Sequence, residues 1–186
     1  YRPTGIVPGF GLDSQMKTDS YSGFGQATYE VLPSTNLTGG IRYTRDDKSF
    51  SGRNVFGGTI PASVPRDISF KKLTWRLAVD HQFNDDLMAY VSYNRGFRAG
   101  TYSPLSLANP PARPETLDAY EVGFKSDLFD RKLRLNTAAF YYNYADLQLR
   151  KNVGSPLQGQ TLNAAKAKIY GLDVDIEARP SRDLGI

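Results

Sequence analysis

Cysteine is absent from the sequence, which excludes disulfides and thiolate metal sites and leaves the redox compartment without a mark on the composition. Histidine occurs once, at His81. A zinc site or a His-based catalytic triad would need partners that the chain scarcely supplies. No run of 18 apolar residues exists, so the sequence offers no transmembrane helix. Blocks of like charge are missing too. Lys and Arg number 23 against 19 Asp and Glu, interleaved along the chain, and a net charge of +4 so distributed is not the footprint of a nucleic-acid binder. The chain opens at Tyr1 without a Met, a basic n-region or an apolar h-region, so any secretory signal lies outside it. It ends at Leu184, Gly185 and Ile186, which read as a strand just beginning, and the expectation is a piece of a longer chain.

What the sequence does hold is aromatic residues, glycine and a persistent alternation. Tyr and Phe number 12 and 10, and Gly 17. From Leu133 the odd positions are Leu133, Leu135, Thr137, Ala139, Tyr141, Asn143, Ala145, Leu147 and Leu149. The even ones, Arg134, Asn136, Ala138, Phe140, Tyr142, Tyr144, Asp146, Gln148 and Arg150, mix charges and amides with aromatic rings. Because a strand sends alternate side chains to opposite faces, one face is oily and the other wet. The pattern lasts about 17 residues, whereas an average soluble strand has roughly 5 to 6. Asp67 to Phe83 repeats it, with Leu73, Trp75, Leu77, Val79 and Phe83 opposite Lys72, Thr74, Arg76, Ala78, Asp80 and Gln82. Met16 to Leu32, Asn36 to Phe50, Leu87 to Arg98, Leu117 to Leu128 and Ala164 to Ala178 do the same, giving seven long strands and no competing helix.

Tight turns fall at Pro33 to Thr35, Asn84 to Asp86, Asp130 to Lys132 and Pro180 to Asp183. Longer loops rich in Gly, Pro, Ser and Asn fall between them, at Ser51 to Arg66, Ala99 to Thr116 and Lys151 to Asn163, and Tyr1 to Gln15 reads as part of another. Short turns on one rim and long loops on the other are the layout of an outer-membrane barrel, whose hydrophobicity is hidden in alternation. In hydrocarbon every backbone N–H and C=O needs an internal partner, so a spanning sheet must be antiparallel and closed. Its outer face must be apolar over about 25 Å with aromatic girdles. Tyr29, Phe83 and Phe124 suit the girdle at the tight-turn rim.

SYSGFGQATYEV with LTGGIRYTRDDKSF, AYVSYNRGFRAGTYSP, RPETLDAYEVGFKSDLFDRKLRLNTAAFYYNYADLQ and NAAKAKIYGLDVDIEARP together resemble the barrel region of TonB-dependent outer-membrane receptors. The resemblance runs from about Met16 through nearly the whole chain. It implies an all-β, strongly curved antiparallel up-and-down sheet of seven to eight long strands, a sector of a 22-stranded transmembrane β-barrel. Residues 1–15 would be an extracellular loop and residues 16–186 the strands. The family's plug domain, TonB box and aromatic-ended final strand are not seen in this stretch. The implied function is uptake of an iron-siderophore or a similar large, scarce nutrient across the Gram-negative outer membrane. The implied partners are outer-membrane lipid, the plug domain, the TonB complex and a siderophore-like ligand. No cofactor and no catalysis are implied. The alternative is a complete eight-stranded barrel with an anchoring or structural role, which paired first and last strands would mark. A hydrolase barrel comes third, needing a Ser–His pair that converges on an acid, and His81 lies on the apolar parity set.

Arg95, Arg98, Tyr102 and Arg113 sit at or beyond the long-loop end of the fourth strand, where a ligand from outside would arrive, and Tyr142, Tyr144 and Arg150 lie near the same rim on the wet face. Arginine and tyrosine there suit an anionic chelate through charge-assisted hydrogen bonds and ring stacking; solvated loop residues are the plainer reading. Asp173, Asp175 and Glu177 project to one face, as oxygen ligands for a hard cation or, more simply, as lumen charges paired with neighbouring strands. The glycines of GFGQAT lack the third glycine of a dinucleotide loop. The sequon Asn36-Leu37-Thr38 falls at a turn of a bacterial protein and is read as chance.

Overall fold

The alternation becomes nine antiparallel strands in the computed structural model, which describes residues 12–54, 66–104, 109–153, 158–163 and 166–178. They are β1 (Leu12–Leu32), β2 (Thr35–Asn54), β3 (Asp67–Asn84), β4 (Leu87–Arg98), β5 (Glu115–Leu128), β6 (Leu133–Ala145), β7 (Gln148–Val153), β8 (Gln158–Asn163) and β9 (Lys166–Ala178). Seven form one sheet in the order β1-β2-β3-β4-β5-β6-β9, and β7 and β8 form a separate two-stranded sheet. Among the described residues β1 and β9 do not pair, so the sheet is open and is not a closed eight-stranded barrel. The turn expected at residues 180–183 and the opening segment 1–11 lie outside the described residues.

The largest boundary differences from the sequence reading lie in β1, β2 and β6, with β2 running on past the expected Phe50 to Asn54. β1 begins at Leu12, four residues before Met16, because Asp13 to Gln15 continue the ladder opposite Arg53 to Ser51. The long strand expected from Leu133 to Leu149 breaks after Ala145. Asp146 adopts φ 55°, a left-handed conformation that Asp tolerates better than most residues, and the chain leaves the sheet to make the β7–β8 hairpin. A paired hairpin therefore occupies much of the expected loop at 151–163.

Register carries the two faces across the whole sheet. Leu37, Val79, Val91, Val122, Ala139 and Leu172 are successive cross-strand neighbours, and so are Leu77, Tyr93, Tyr120, Tyr141 and Tyr170. This face is bare: Leu77 is 51% exposed, Val91 54% and Leu172 74%. A monomeric soluble protein does not leave so much contiguous apolar surface in water. On β3 the apolar stretch from Leu73 to Phe83 spans ten residue steps, about 34 Å along the strand. A 45° tilt reduces that to roughly 24 Å, close to the height of a lipid-facing band. Tyr93 stacks on Tyr120 with ring centroids 4.8 Å apart, and Trp75 meets Tyr93 edge-on at 6.4 Å. The band therefore has an aromatic border toward the long-loop rim. Tyr29, Phe83 and Phe124 lie exposed on the same face nearer the tight turns, and His81 hydrogen-bonds Thr35 Oγ1 at 2.7 Å.

Among the described residues, the cluster of buried apolar side chains forms at the long-loop rim, on the wet side. Phe50 is 3% exposed and Tyr102 1%, their rings stacked at 4.7 Å, with Ile68 packed against them. Phe70, itself buried, packs against Gly100, where a Cβ would collide with its ring and with the Ala112 carbonyl oxygen. The segment between β4 and β5 folds inward rather than outward.

Candidate functional site

At the long-loop rim the wet face carries inward-folded chain, residues 99–104 and 109–114, held from both sides. Toward β1 and β2, Ser14 Oγ donates to the Pro104 carbonyl at 3.0 Å, and Tyr102 stacks on Phe50. Since β1 and β4 are three strand spacings apart, roughly 14 Å, the segment crosses the wet face to reach this anchor. Toward the β7–β8 hairpin, Thr161 N–H donates to Ser103 Oγ at 2.8 Å and Arg113 N–H to Asn163 Oδ1 at 2.7 Å. Gln148 closes the stem. Its Nε2 donates to the carbonyls of Ala99 (2.9 Å) and Arg113 (3.0 Å), which flank the Thr101–Ala112 bridge, and its N–H donates to Glu115 Oε2 at 2.6 Å.

The seven residues singled out from the sequence separate into distinct environments. Arg98 lies on the wet face at the end of β4, opposite Glu115, with Nη1 4.0 Å from Glu115 Oε1. Arg113 is largely exposed and donates from Nη2 to Asp146 Oδ1 at 2.6 Å. Tyr142 and Tyr144 are on the wet face of β6, half-buried, with Tyr142 beside Phe140 at 4.9 Å. Arg150 stands on the hairpin, not on β6, and its guanidinium covers Gly159, where a Cβ would meet it at 2.7 Å.

Two of the seven lie elsewhere. Arg95 pairs with Asp118 and Trp75 in the register of the apolar face, because it is three residues from Arg98 and so of opposite parity. Its guanidinium lies 5.1 Å from the Trp75 ring centroid and 3.6 Å from Asp118, which also accepts from Tyr93 Oη at 2.9 Å. That cluster borders the oily band at headgroup level. Tyr102 is the buried anchor of the inward segment and offers no surface to a ligand; burial raises its phenol above the ordinary tyrosine value, with Asp67 adding to the effect.

Sequence reasoning missed Phe50, Phe70, Glu115 and Gln148. The phenylalanines did leave a signal: both occupy wet-face positions among Asp46, Lys48 and Lys72, where an apolar ring implies something packed over it. Gln148 left none, since it follows an irregular turn.

Electrostatics grade down the wet face. Arg42, Lys48, Lys72, Arg76 and Arg98 gather toward the long-loop rim, while Asp80, Glu121, Asp173, Asp175 and Glu177 gather toward the tight turns. Burial lowers the Lys48 ammonium below its ordinary value, and Arg98 acts in the same sense against Asp46. The acidic side chains of β9 interact across the ladder: Asn136 Nδ2 donates to Asp175 at 3.2 Å, and Arg134 stands 3.8 Å from Glu177. Among the described residues no group of three His, Cys, Asp or Glu side chains is placed to hold a metal ion.

Comparison with known proteins matches this arrangement. Residues 1–185 fit the family profile described as TonB dependent receptor-like, beta-barrel. The rhizobactin receptor of Rhizobium meliloti (strain 1021) is 21% identical over 195 residues, covering 88% of this chain and 25% of that protein. Among solved structures, the ferric yersiniabactin uptake receptor of Yersinia pestis superposes with a TM-score of 0.78 at 18% identity, over 93% of this chain and 26% of the other. A copper transporter, OprC, gives 0.74 at 16% identity, over 90% and 27%. The chain spans about a quarter of the length of the relatives it matches.

Proposed function

Because the chain belongs to the TonB-dependent receptor β-barrel family, whose members stand in the outer membrane of Gram-negative bacteria, we propose that it forms a wall sector of a receptor importing a siderophore-like metal chelate. The apolar face meets lipid, the wet face lines the lumen, and the rest of the receptor supplies a plug within the barrel and the contact with TonB. The observation that supports this most is the single register carrying an exposed apolar band and a charged face across seven strands. The open edges at β1 and β9 favour a sector of a larger barrel over a small anchoring one. The chemistry of this reading is passage, not reaction.

Ligand contact is assigned to Arg98 and Arg113 at the stem of the inward segment, with Tyr142 and Tyr144 below them and Arg150 on the hairpin. Guanidinium groups suit chelates that expose carboxylate or catecholate oxygens, and tyrosine adds flat stacking surface. Uptake of radio-iron by a strain lacking the full-length receptor tests the reading. The wild-type gene is expected to restore uptake of at least one of a panel of iron-siderophores, and the R98Q/R113Q variant to restore much less. Equal restoration would remove these residues from the ligand path, and no restoration with any chelate would count against siderophore uptake.

A further inference from the structure

Below the rim, the lumen wall holds two arginines that the rim reading does not use. Arg42 of β2 faces Thr74 of β3 across the ladder, and Arg76 lies two residues further along the same face. Such diagonal neighbours stand roughly 7–8 Å apart. Arg42 donates from Nε to Thr44 Oγ1 at 3.3 Å and from Nη2 to Ser22 Oγ at 2.6 Å, with its guanidinium 5.5 Å from the Phe24 ring centroid. Arg76 donates from Nη1 to Asn94 Oδ1 at 3.2 Å. Every one of these partners is neutral. Arg45, Arg113 and Arg134, by contrast, hold carboxylates at 2.9, 2.6 and 2.8 Å.

The wall is also cleared around the pair. Gly40 stands between Gln26 and Arg76 in the ladder, and a Cβ at Gly96 would meet nothing within 4 Å. The result is an open hollow of about 360 Å³ whose lining includes Phe24, Gln26, Arg42, Thr74, Arg76 and Asn94 and, among the described residues, no carboxylate. A guanidinium has five N–H donors in a planar fork, matched edge-on to a carboxylate. With hydroxyl and amide partners, both side chains keep full charge and spare donors.

We propose that Arg42 and Arg76 form an anion station in the lumen wall that takes a small ligand carrying two or more carboxylates, one for each guanidinium. The proposal rests on the assignment of this face to the lumen. It adds a second holding point below the rim, so that a polycarboxylate chelate released by Arg98 and Arg113 meets another cationic pair on its way down. Gln26 and Asn94 would hydrogen-bond its hydroxyl or amide groups, and Phe24 would pack on its carbon skeleton.

The test uses the full-length receptor in detergent micelles with citrate as the probe. Arginines are labelled with p-hydroxyphenylglyoxal, and modification at each site is quantified by peptide mass spectrometry. Citrate is expected to slow labelling of Arg42 and Arg76 while leaving Arg45, on the opposite face, unchanged. Inorganic sulfate at equal ionic strength is expected to protect far less. In the R76Q variant, half-protection of Arg42 should need about tenfold more citrate, the loss expected for one charge-assisted hydrogen-bonding partner. Equal protection by sulfate, labelling that citrate does not slow, or a pair that is unreactive throughout because an acidic segment of the receptor fills the hollow would each overturn the proposal. Arg98 and Arg113 are read in the same digest. Protection there without protection of Arg42 and Arg76 sinks the station and leaves the rim assignment standing; the reverse pattern does the opposite.

Discussion

A single hydrogen at Gly123 lets β5 lie against β6. A Cβ there would come within 2.6 Å of the Thr137 carbonyl oxygen and 2.9 Å of the Tyr90 ring, and backbone on one side leaves little room to give. Gly123→Ala is therefore expected to destabilise the barrel by about 1–3 kcal/mol, seen as a lower midpoint in urea titration of the full-length receptor. Gly23→Ala, where a Cβ would meet no other described residue within 4 Å beyond its chain neighbours, should leave the midpoint in place. Tyr102 supplies a pH-dependent counterpart. Its raised phenol favours the neutral form in the folded segment, so the anchoring contribution is complete below the unfolded tyrosine value near 10. It declines as pH rises from there through the higher folded value. Alkaline titration followed by phenolate absorbance should show a late-ionising tyrosine fraction in the wild type, and Tyr102→Phe should lower its amplitude by one tyrosine. Parity made Tyr142 and Tyr144 legible as wet-face residues, whereas Arg98 was singled out only by its place at the end of a strand. Parity could also have separated Arg95, and closeness to a loop end obscured that. Tyr102 was not legible, because a loop has no period to say which side its side chains take.

The strands were the most legible elements, since a half-buried strand has no way to hide a two-residue period. The break at Asp146 escaped the same test for a physical reason: Leu147 and Leu149 preserve the odd-position parity on the far side of the turn, so the pattern runs on through a chain reversal. Asp146 both adopts the left-handed conformation and holds Arg113. Asp146→Gly should keep the hairpin in place and lose only the ion pair. Asp146→Val, β-branched in that conformation, should free the hairpin, with faster hydrogen exchange at Gln148 and Thr161 as the readout. The β5–β6 turn makes a similar demand, with Phe129, Asp130 and Arg131 at φ 56°, 56° and 63°. Replacing Asp130 by Gly is expected to gain about 1 kcal/mol in the same urea titration.

For the whole molecule, the decisive property is which face meets hydrocarbon. Leu77→Lys places a charge in the middle of the apolar band, at a cost of about 2–4 kcal/mol if it lies near the bilayer midplane. Ala119→Lys places the same charge on the wet face of β5. The first is expected to lower the fraction of full-length receptor that resists urea extraction from outer membranes, and the second to leave it near wild type. Equal loss from both would mean the faces are misassigned. The inward-folded segment and its hairpin clasp needed the structure, because both depend on contacts between distant residues that no local pattern records. The great length of β1 and β2 has a consequence of its own. Twenty-one residues in β1 run about 70 Å along the strand, near 50 Å once tilted, against a hydrocarbon thickness of about 30 Å. The charged ends bearing Lys17, Asp19, Arg45 and Asp47 must therefore stand clear of the lipid, and in the proposed receptor they form a stiff ribbon on the cell-surface side. An antibody raised against this stretch would find its epitope on intact bacteria, with no need to breach the envelope.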